Sequence, residues 1–172
     1  MRKINVPIIL WDASGLVKRY YAEHGSSTVN GIFGVVAPSQ MQATLWGYAE
    51  TFAILHRKRN SGLLTHSGFT KAATRLQDEV LIENDFGLLS IEDDRILAGL
   101  TYVTLHNLNS NDAAILATYL RYKRSLPPGS PACVLAASDQ RLLRAASAEG
   151  LAVMNPELLP PKDIGEFFDN LG

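Results

Sequence analysis

Four acidic residues stand where side chains could do chemistry. Asp12 closes the apolar run 6–11 (VPIILW), and Asp139 comes just after a second apolar run, 132–137. Glu50 lies in segment 44–59, with apolar Trp46, Ala53 and Ile54 at its i−4, i+3 and i+4 positions. Helical spacing puts those neighbours on its own face. The polar stripe of that segment runs instead through Thr44, Gly47, Thr51 and Lys58, so Glu50 is expected to face the core, where an unpaired charge is costly. Asp112 opens segment 111–123 behind Asn109-Ser110-Asn111, a helix-capping cluster. Each acid has a plainer role open to it. Asp12 and Asp139 suit helix caps, Asp112 a first-turn acid, and Glu50 a buried pair with an arginine. Gathered in one place, they would form an all-oxygen set suited to Mg²⁺, or to Mn²⁺. Without a cation such carboxylates repel one another and take up protons.

The elements that must position these acids follow from periodicity and turn chemistry. The run 6–11 is too short for a helix and has the β-branched content of a strand buried on both faces. Helical patterns cover 14–21, 26–33, 44–59, 65–84, 94–106, 111–123 and 139–149. Strands are expected at 35–37 (ended by Pro38), 87–91, 132–137 and 151–154, with 125–131 a loop. Strands alternating with helices predict an α/β fold with a five-stranded parallel sheet flanked by helices. In that architecture ligands sit beyond the carboxyl ends of the strands, where strand order reverses. Asp12 and Asp139 both belong to that edge.

Four segments carry a resemblance. I-L-W-D-A-S-G-L-V-K-R-Y-Y (9–21), W-G-Y-A-E-T (46–51), N-D-A-A-I-L-A (111–117) and S-D-Q-R-L-L (138–143) resemble the signatures of PIN-domain nucleases, most closely VapC-like toxins of bacterial toxin–antitoxin pairs. The resemblance spans about 8–156, implying a single PIN-like domain over 1–156 and a C-terminal tail over 157–172. It implies that Asp12, Glu50, Asp112 and Asp139 are a metal-binding catalytic quartet, with Ser14 and Ser138 supporting it. It also implies a metal-dependent endoribonuclease that is a homodimer held inactive by an antitoxin. Ala13 stands where a hydroxyl residue is common, the Asp112–Asp139 interval is lengthened by 121–131, and the tail is long. These departures bear on the partner surfaces more than on the chemistry.

Composition agrees with a polyanionic substrate. The 172 residues carry a net charge of −1, but seven acids and no Lys or Arg fall between Asp78 and Asp94. Four more acids follow Asn155, with one Lys. The rest of the chain holds fifteen Lys and Arg against six acids. Lys18, Arg19, Arg57, Lys58, Arg59, Arg141 and Arg144 are candidates for holding an RNA backbone, or else solvated helix faces. Tyr20 and Tyr21 suit helix packing more than base stacking. Apolar runs reach only six residues, against the ~20 of a membrane helix, and the stretch after Met1-Arg2-Lys3 is too short for a signal-peptide core. A cytoplasmic protein with one buried thiol, Cys133, is expected. The four histidines lack zinc spacing, and neither a Gly-rich phosphate loop nor a Gly-x-Ser-x-Gly elbow is present. Two competing readings are a PIN-like module that binds RNA or a partner without cleaving, and a phosphatase with Asp12 as nucleophile. Against the second, position 14 is Ser where a second Asp is usual.

Overall fold

The computed structural model describes residues 6–82 and 85–171 and builds one five-stranded parallel sheet. Its strands are β1 (Ile8–Trp11), β2 (Met41–Thr44), β3 (Gly87–Leu89), β4 (Cys133–Ala136) and β5 (Ala152–Met154), in the order β3-β2-β1-β4-β5. The chain walks outward from β1 to β3, then returns to the other side of β1 for β4. The reversal therefore falls between β1 and β4, the strands that deliver Asp12 and Asp139.

Strand alternation sorts the core into two layers. Ile9 and Trp11 of β1, Val134 and Ala136 of β4, and Met41 face helices α1 (Ala13–Leu16), α2 (Ser26–Val35), α3 (Leu45–Asn60), α4 (His66–Gln77) and α8 (Ile164–Asp169). Ile8, Leu10, Cys133 and Leu135 face α5 (Asp93–His106), α6 (Ser110–Ser125) and α7 (Gln140–Ala148). Central strands covered on both sides read as continuous apolar runs, which is why β1 and β4 stand out in the sequence.

The second strand lies elsewhere than expected. Val35 ends α2, and Pro38–Gln40 forms a 3₁₀ turn that restarts the chain as β2. β2 escapes an apolar-run reading because it contains Gln42 and Thr44, both buried. The Gln42 side chain occupies the space that a Cβ at Gly87 would need, so glycine in β3 is what admits a polar residue there. Smaller differences follow local geometry. Segment 14–21 is the short α1 followed by a 3₁₀ turn, Val17–Arg19, and α4 gives way to a π turn at Asp78–Ile82. Asn84, the expected end of that helix, lies outside the described residues.

The helix α3 is turned the other way from its expected orientation. Gly47, Thr51 and Leu55 are its buried residues, whereas Trp46 is 56% exposed. The stripe that looks polar is the packing face. At Gly47 a Cβ would lie 3.1 Å from the Thr44 hydroxyl that caps the helix, and the Thr51 hydroxyl is satisfied by donating to the Gly47 carbonyl at 2.8 Å. Glu50 accordingly sits half-buried at the rim rather than in the core.

The segment after Asn155 packs closely. Ile164 and Phe168 join the core layer of β1, and the Thr28 hydroxyl donates to the Leu159 carbonyl at 2.5 Å.

Candidate active site

Asp12 leaves β1 and caps α1. Its Oδ2 accepts from the Ser14 amide at 2.9 Å and from the Ser14 hydroxyl at 2.5 Å. That same hydroxyl accepts from the Ser138 amide at 2.9 Å, so Ser14 ties the carboxyl ends of β1 and β4 together. The closeness depends on Gly15, where a Cβ would lie 2.7 Å from the Ala136 carbonyl oxygen. Ser138 thus contributes its backbone, while its own hydroxyl oxygen is buried without a hydrogen-bond partner. One residue on, Asp139 Oδ1 accepts from the amides of Arg141 and Leu142 at 2.8 and 2.9 Å, an N-cap of α7.

The other two acids come from helices. Glu50 Oε1 accepts from Asn111 Nδ2 at 2.8 Å, a bond that joins α3 to the start of α6. The Asp112 carboxylate accepts from Asn109 Nδ2 at 2.7 Å, while Asn109 caps α6 by accepting from the Asp112 amide. The capping roles open to Asp12 and Asp139 are therefore real, and they coexist with a shared location.

Electrostatics shows that location. Burial holds the Asp12 carboxyl above its ordinary range against the Ser14 bonds, and the charge of Asp139 adds to the rise. Burial also raises Glu50, with contributions from Asp12 and Asp112. Asp112 is pushed up to about 6 by burial, then by Asp12 and Asp139. Asp12, Glu50 and Asp112 thus each feel at least one other acid of the quartet, as expected of like charges brought near one edge. Yet among the described residues no three Asp, Glu, His or Cys side chains converge closely enough to grip one metal ion. Each carboxylate is instead engaged by its own local donors: Ser14, Asn111, Asn109 and the α7 amides. The donor set itself is hard oxygen throughout. Mg²⁺ binds through one or two carboxylates and keeps several waters, so the set fits such an ion without an all-protein cage.

The basic candidates divide. Lys18 is 4% exposed and bonds Glu23 at 3.1 Å and Glu157 at 2.7 Å, so its charge is spent inside the fold. Lys58 bonds Glu23 at 2.8 Å and lies over the Tyr21 ring. Arg19 forks onto Glu79 and stacks on Phe33, and Arg59 lies over Phe69. Tyr20 is buried, in keeping with packing. Arg57, Arg141 and Arg144 are exposed. Arg57 lies near enough to offset part of the rise at Glu50, and Arg141 does so at Asp112. The two arginines flank the acids from α3 and α7.

Two residues at the site carry no signal as acids or bases. Asn111 holds Glu50, and its only trace in the sequence is membership of a capping cluster. Tyr119, two turns beyond Asp112 on α6, is fully buried and reaches the backbone ends of β1 and β2. A phenol inside an otherwise apolar helix stretch is the sign that could have found it.

Strand order, all-parallel pairing and acids at the reversal point together define a PIN-like α/β fold, as the four motifs imply. Solved structures share it. FitAB bound to an IR36 DNA fragment matches with a TM-score of 0.63 at 16% identity, over 88% of this chain and 97% of that one. FitAcB from Neisseria gonorrhoeae matches with 0.59 at 16%, over 88% and 99%. VapC20 of Mycobacterium tuberculosis, a sarcin–ricin-loop-cleaving toxin, matches with 0.59 at 17%, over 88% and 99%. No family model matches the chain, and neither does any curated protein.

Proposed function

We propose that this protein is a divalent-metal-dependent endoribonuclease, the toxin of a toxin–antitoxin pair. The observation that supports this reading is the placement of Asp12 and Asp139 at the ends of the two strands that flank the sheet's reversal point, with Glu50 and Asp112 near enough to feel Asp12, in a fold shared with a toxin that cleaves the sarcin–ricin loop. Asp12 and Asp112 would hold Mg²⁺ or Mn²⁺, with Glu50 and Asp139 acting directly or through water. A bound ion there supplies charge neutralisation at the scissile phosphate and makes water a competent nucleophile at neutral pH. The chain's own residues do the rest. Ser14 orients Asp12 and fixes it to β4, Asn111 orients Glu50, and Arg57 and Arg141 hold the RNA backbone on either side. Position 14 is Ser, bonded to Asp12, where such a phosphatase carries a second Asp as acid, which disfavours the phosphatase reading.

A partner surface accompanies the site. Leu45, Trp46, Leu97 and Leu100 are all more than half exposed, and Leu45 and Trp46 line a groove of about 960 Å³ with Ile91 and Ile96 that borders Glu50. Exposed apolar area of this kind marks an interface. In this reading the surface joins two copies into a homodimer, and the FitAB and FitAcB assemblies support an antitoxin as a further partner. No helix among the described residues is long and apolar enough to cross a membrane.

One assay tests the activity. Purified protein incubated with RNA should cleave it with Mg²⁺ and stop with a chelator, and Asp12→Asn should abolish cleavage. The separation of the acids favours one alternative, a binding module without activity. RNA binding with no metal-dependent cleavage would establish that alternative instead.

A further inference from the structure

Among the described residues, the Tyr119 hydroxyl makes two hydrogen bonds with backbone groups. It donates to the Trp11 carbonyl at 2.5 Å and accepts from the Thr44 amide at 3.2 Å, and the side chain is fully buried. Both partners lie at the carboxyl ends of neighbouring parallel strands, β1 and β2. Trp11 is the residue immediately before Asp12. Thr44 is the N-cap of α3, accepting from the Gly47 amide at 2.8 Å, and α3 carries Glu50. Tyr119 itself stands on α6, seven residues after Asp112 on the same helix face.

Packing alone does not call for this phenol. Residues 113–120 of α6 are all buried, and Ile115, Leu116 and Leu120 fill the same layer with hydrocarbon. A phenylalanine at 119 would occupy the same volume. What the hydroxyl adds is a bond from one acid-bearing element, α6, to two others, β1 and the cap of α3; Asp139, on the fourth, lies outside this tie. We propose that Tyr119 is a positioning residue whose hydroxyl ties β1, α3 and α6 together, and so sets the spacing of Asp12, Glu50 and Asp112. This rests on the reading of those acids as a metal site. Hydrogen-bonding partners that orient ligands, without binding the ion themselves, typically change metal affinity 10- to 100-fold when removed.

The test is Tyr119→Phe, which deletes the tie and keeps the ring. Its first arm needs no metal. Amide hydrogen exchange should quicken at Thr44 and at Gly15 and Leu16, whose amides bond the Asp12 carbonyl, while Ala137, bonded to Met154 at the far side of β4, keeps its wild-type rate. An equal rise everywhere, or none, overturns the proposal, because a general loss of stability opens all these amides alike. Unprotected exchange at Thr44 in the wild type overturns it without any variant. The second arm is Mn²⁺ titration of the same proteins, where affinity should fall about 10- to 100-fold. In RNA cleavage kcat should fall while KM holds. Wild-type Mn²⁺ affinity and kcat in Tyr119→Phe also overturn the proposal. A wild type that neither binds Mn²⁺ nor cleaves RNA defeats the ribonuclease reading instead, and the exchange arm still decides the tie.

Discussion

Replacing Asp112 by asparagine should stabilise the metal-free protein, and only at neutral pH. Burial and the charges of Asp12 and Asp139 raise this carboxyl from 3.8 to about 6. The folded state therefore holds the proton more tightly than the unfolded chain. For a raised acid, the stability linked to the group is greatest below the unfolded value, declines as pH rises from about 4 through about 6, and is flat above. Taken at face value, the shift corresponds to about 3 kcal/mol at neutral pH. Asp112 is only half-buried, so solvent screening reduces this to about 1–2 kcal/mol. Loss of a first-turn acid returns about 0.5 kcal/mol to the wild type. The net gain for Asp112→Asn is about 1 kcal/mol, or about 2–4 °C in Tm for a chain of this size. Thermal melts at pH 7.5 in a chelator should show it, and melts at pH 4 should not, since the wild-type carboxyl is then protonated. Adding Mg²⁺ should stabilise the wild type and leave the variant nearly unmoved. A variant no more stable than the wild type at pH 7.5, or equally favoured at pH 4, would refute the crowded-carboxylate argument.

Three further outcomes follow from the same geometry. Arg57→Ala with Arg141→Ala should weaken RNA binding and flatten the log–log salt dependence by about 1.4, roughly 0.7 for each lost phosphate contact, as measured by fluorescence anisotropy across a salt series. Lys18→Met should leave that slope unchanged but cost about 1–2 kcal/mol in denaturant unfolding. This is less than the ~3–5 kcal/mol of a fully buried pair, because Glu23 and Glu157 keep partial access to water. Trp46→Glu with Leu97→Glu should convert a dimer to a folded monomer in sedimentation velocity, since a charge on each apolar element makes self-association unfavourable; an unchanged mass would move the dimer face elsewhere.

Where the sequence speaks clearly, one physical rule acts alone. β1 and β4 are buried on both faces, so their side chains are apolar at every position and no register is needed to recognise them. β2 is equally central but satisfies two rules at once. Gln42 must fit against Gly87, and Thr44 must cap α3, so its composition resembles a turn. The helix α3 inverts the usual inference for a related reason. Side-chain polarity is a proxy for water only when the polar atom needs water. Thr51 bonds its own helix and Gly47 has no side chain, so both can face the sheet. Trp46 and Phe52, left outward, then mark surface that a partner can cover.

The site divides along the same line. Asp12, Asp112 and Asp139 are legible because each sits at the end of an element, and element ends are what turn and capping chemistry reveal; Glu50 lies within α3, where the face inferred from its apolar neighbours is the one turned outward. Ser14, two residues from Asp12, is legible with it, but Asn111 and Tyr119 are not, because each acts through a hydrogen bond spanning a long stretch of chain, 61 residues from Asn111 to Glu50 and 108 from Tyr119 to Trp11; the same holds for the ion pair of Lys18 with Glu157, 139 residues away. Nothing local distinguishes Asn111 from a cap or Lys18 from a solvated cation, and only the phenol in a mostly apolar stretch sets Tyr119 apart from a core aromatic. Lys18 shows how far this changes a role. It lies six residues after Asp12 beside another base, Arg19, as a phosphate-binding residue would. The fold instead places it under the C-terminal segment, where Glu157 neutralises it. The positive field at the acidic edge is left to Arg57 and Arg141, one on each flank. In the ribonuclease reading proposed above, substrate selection would depend on these two arginines, carried by different helices, α3 and α7, on opposite faces of the sheet. On that reading, RNA that spans both would be held across the four acids, and RNA that reaches only one would be free to swing away.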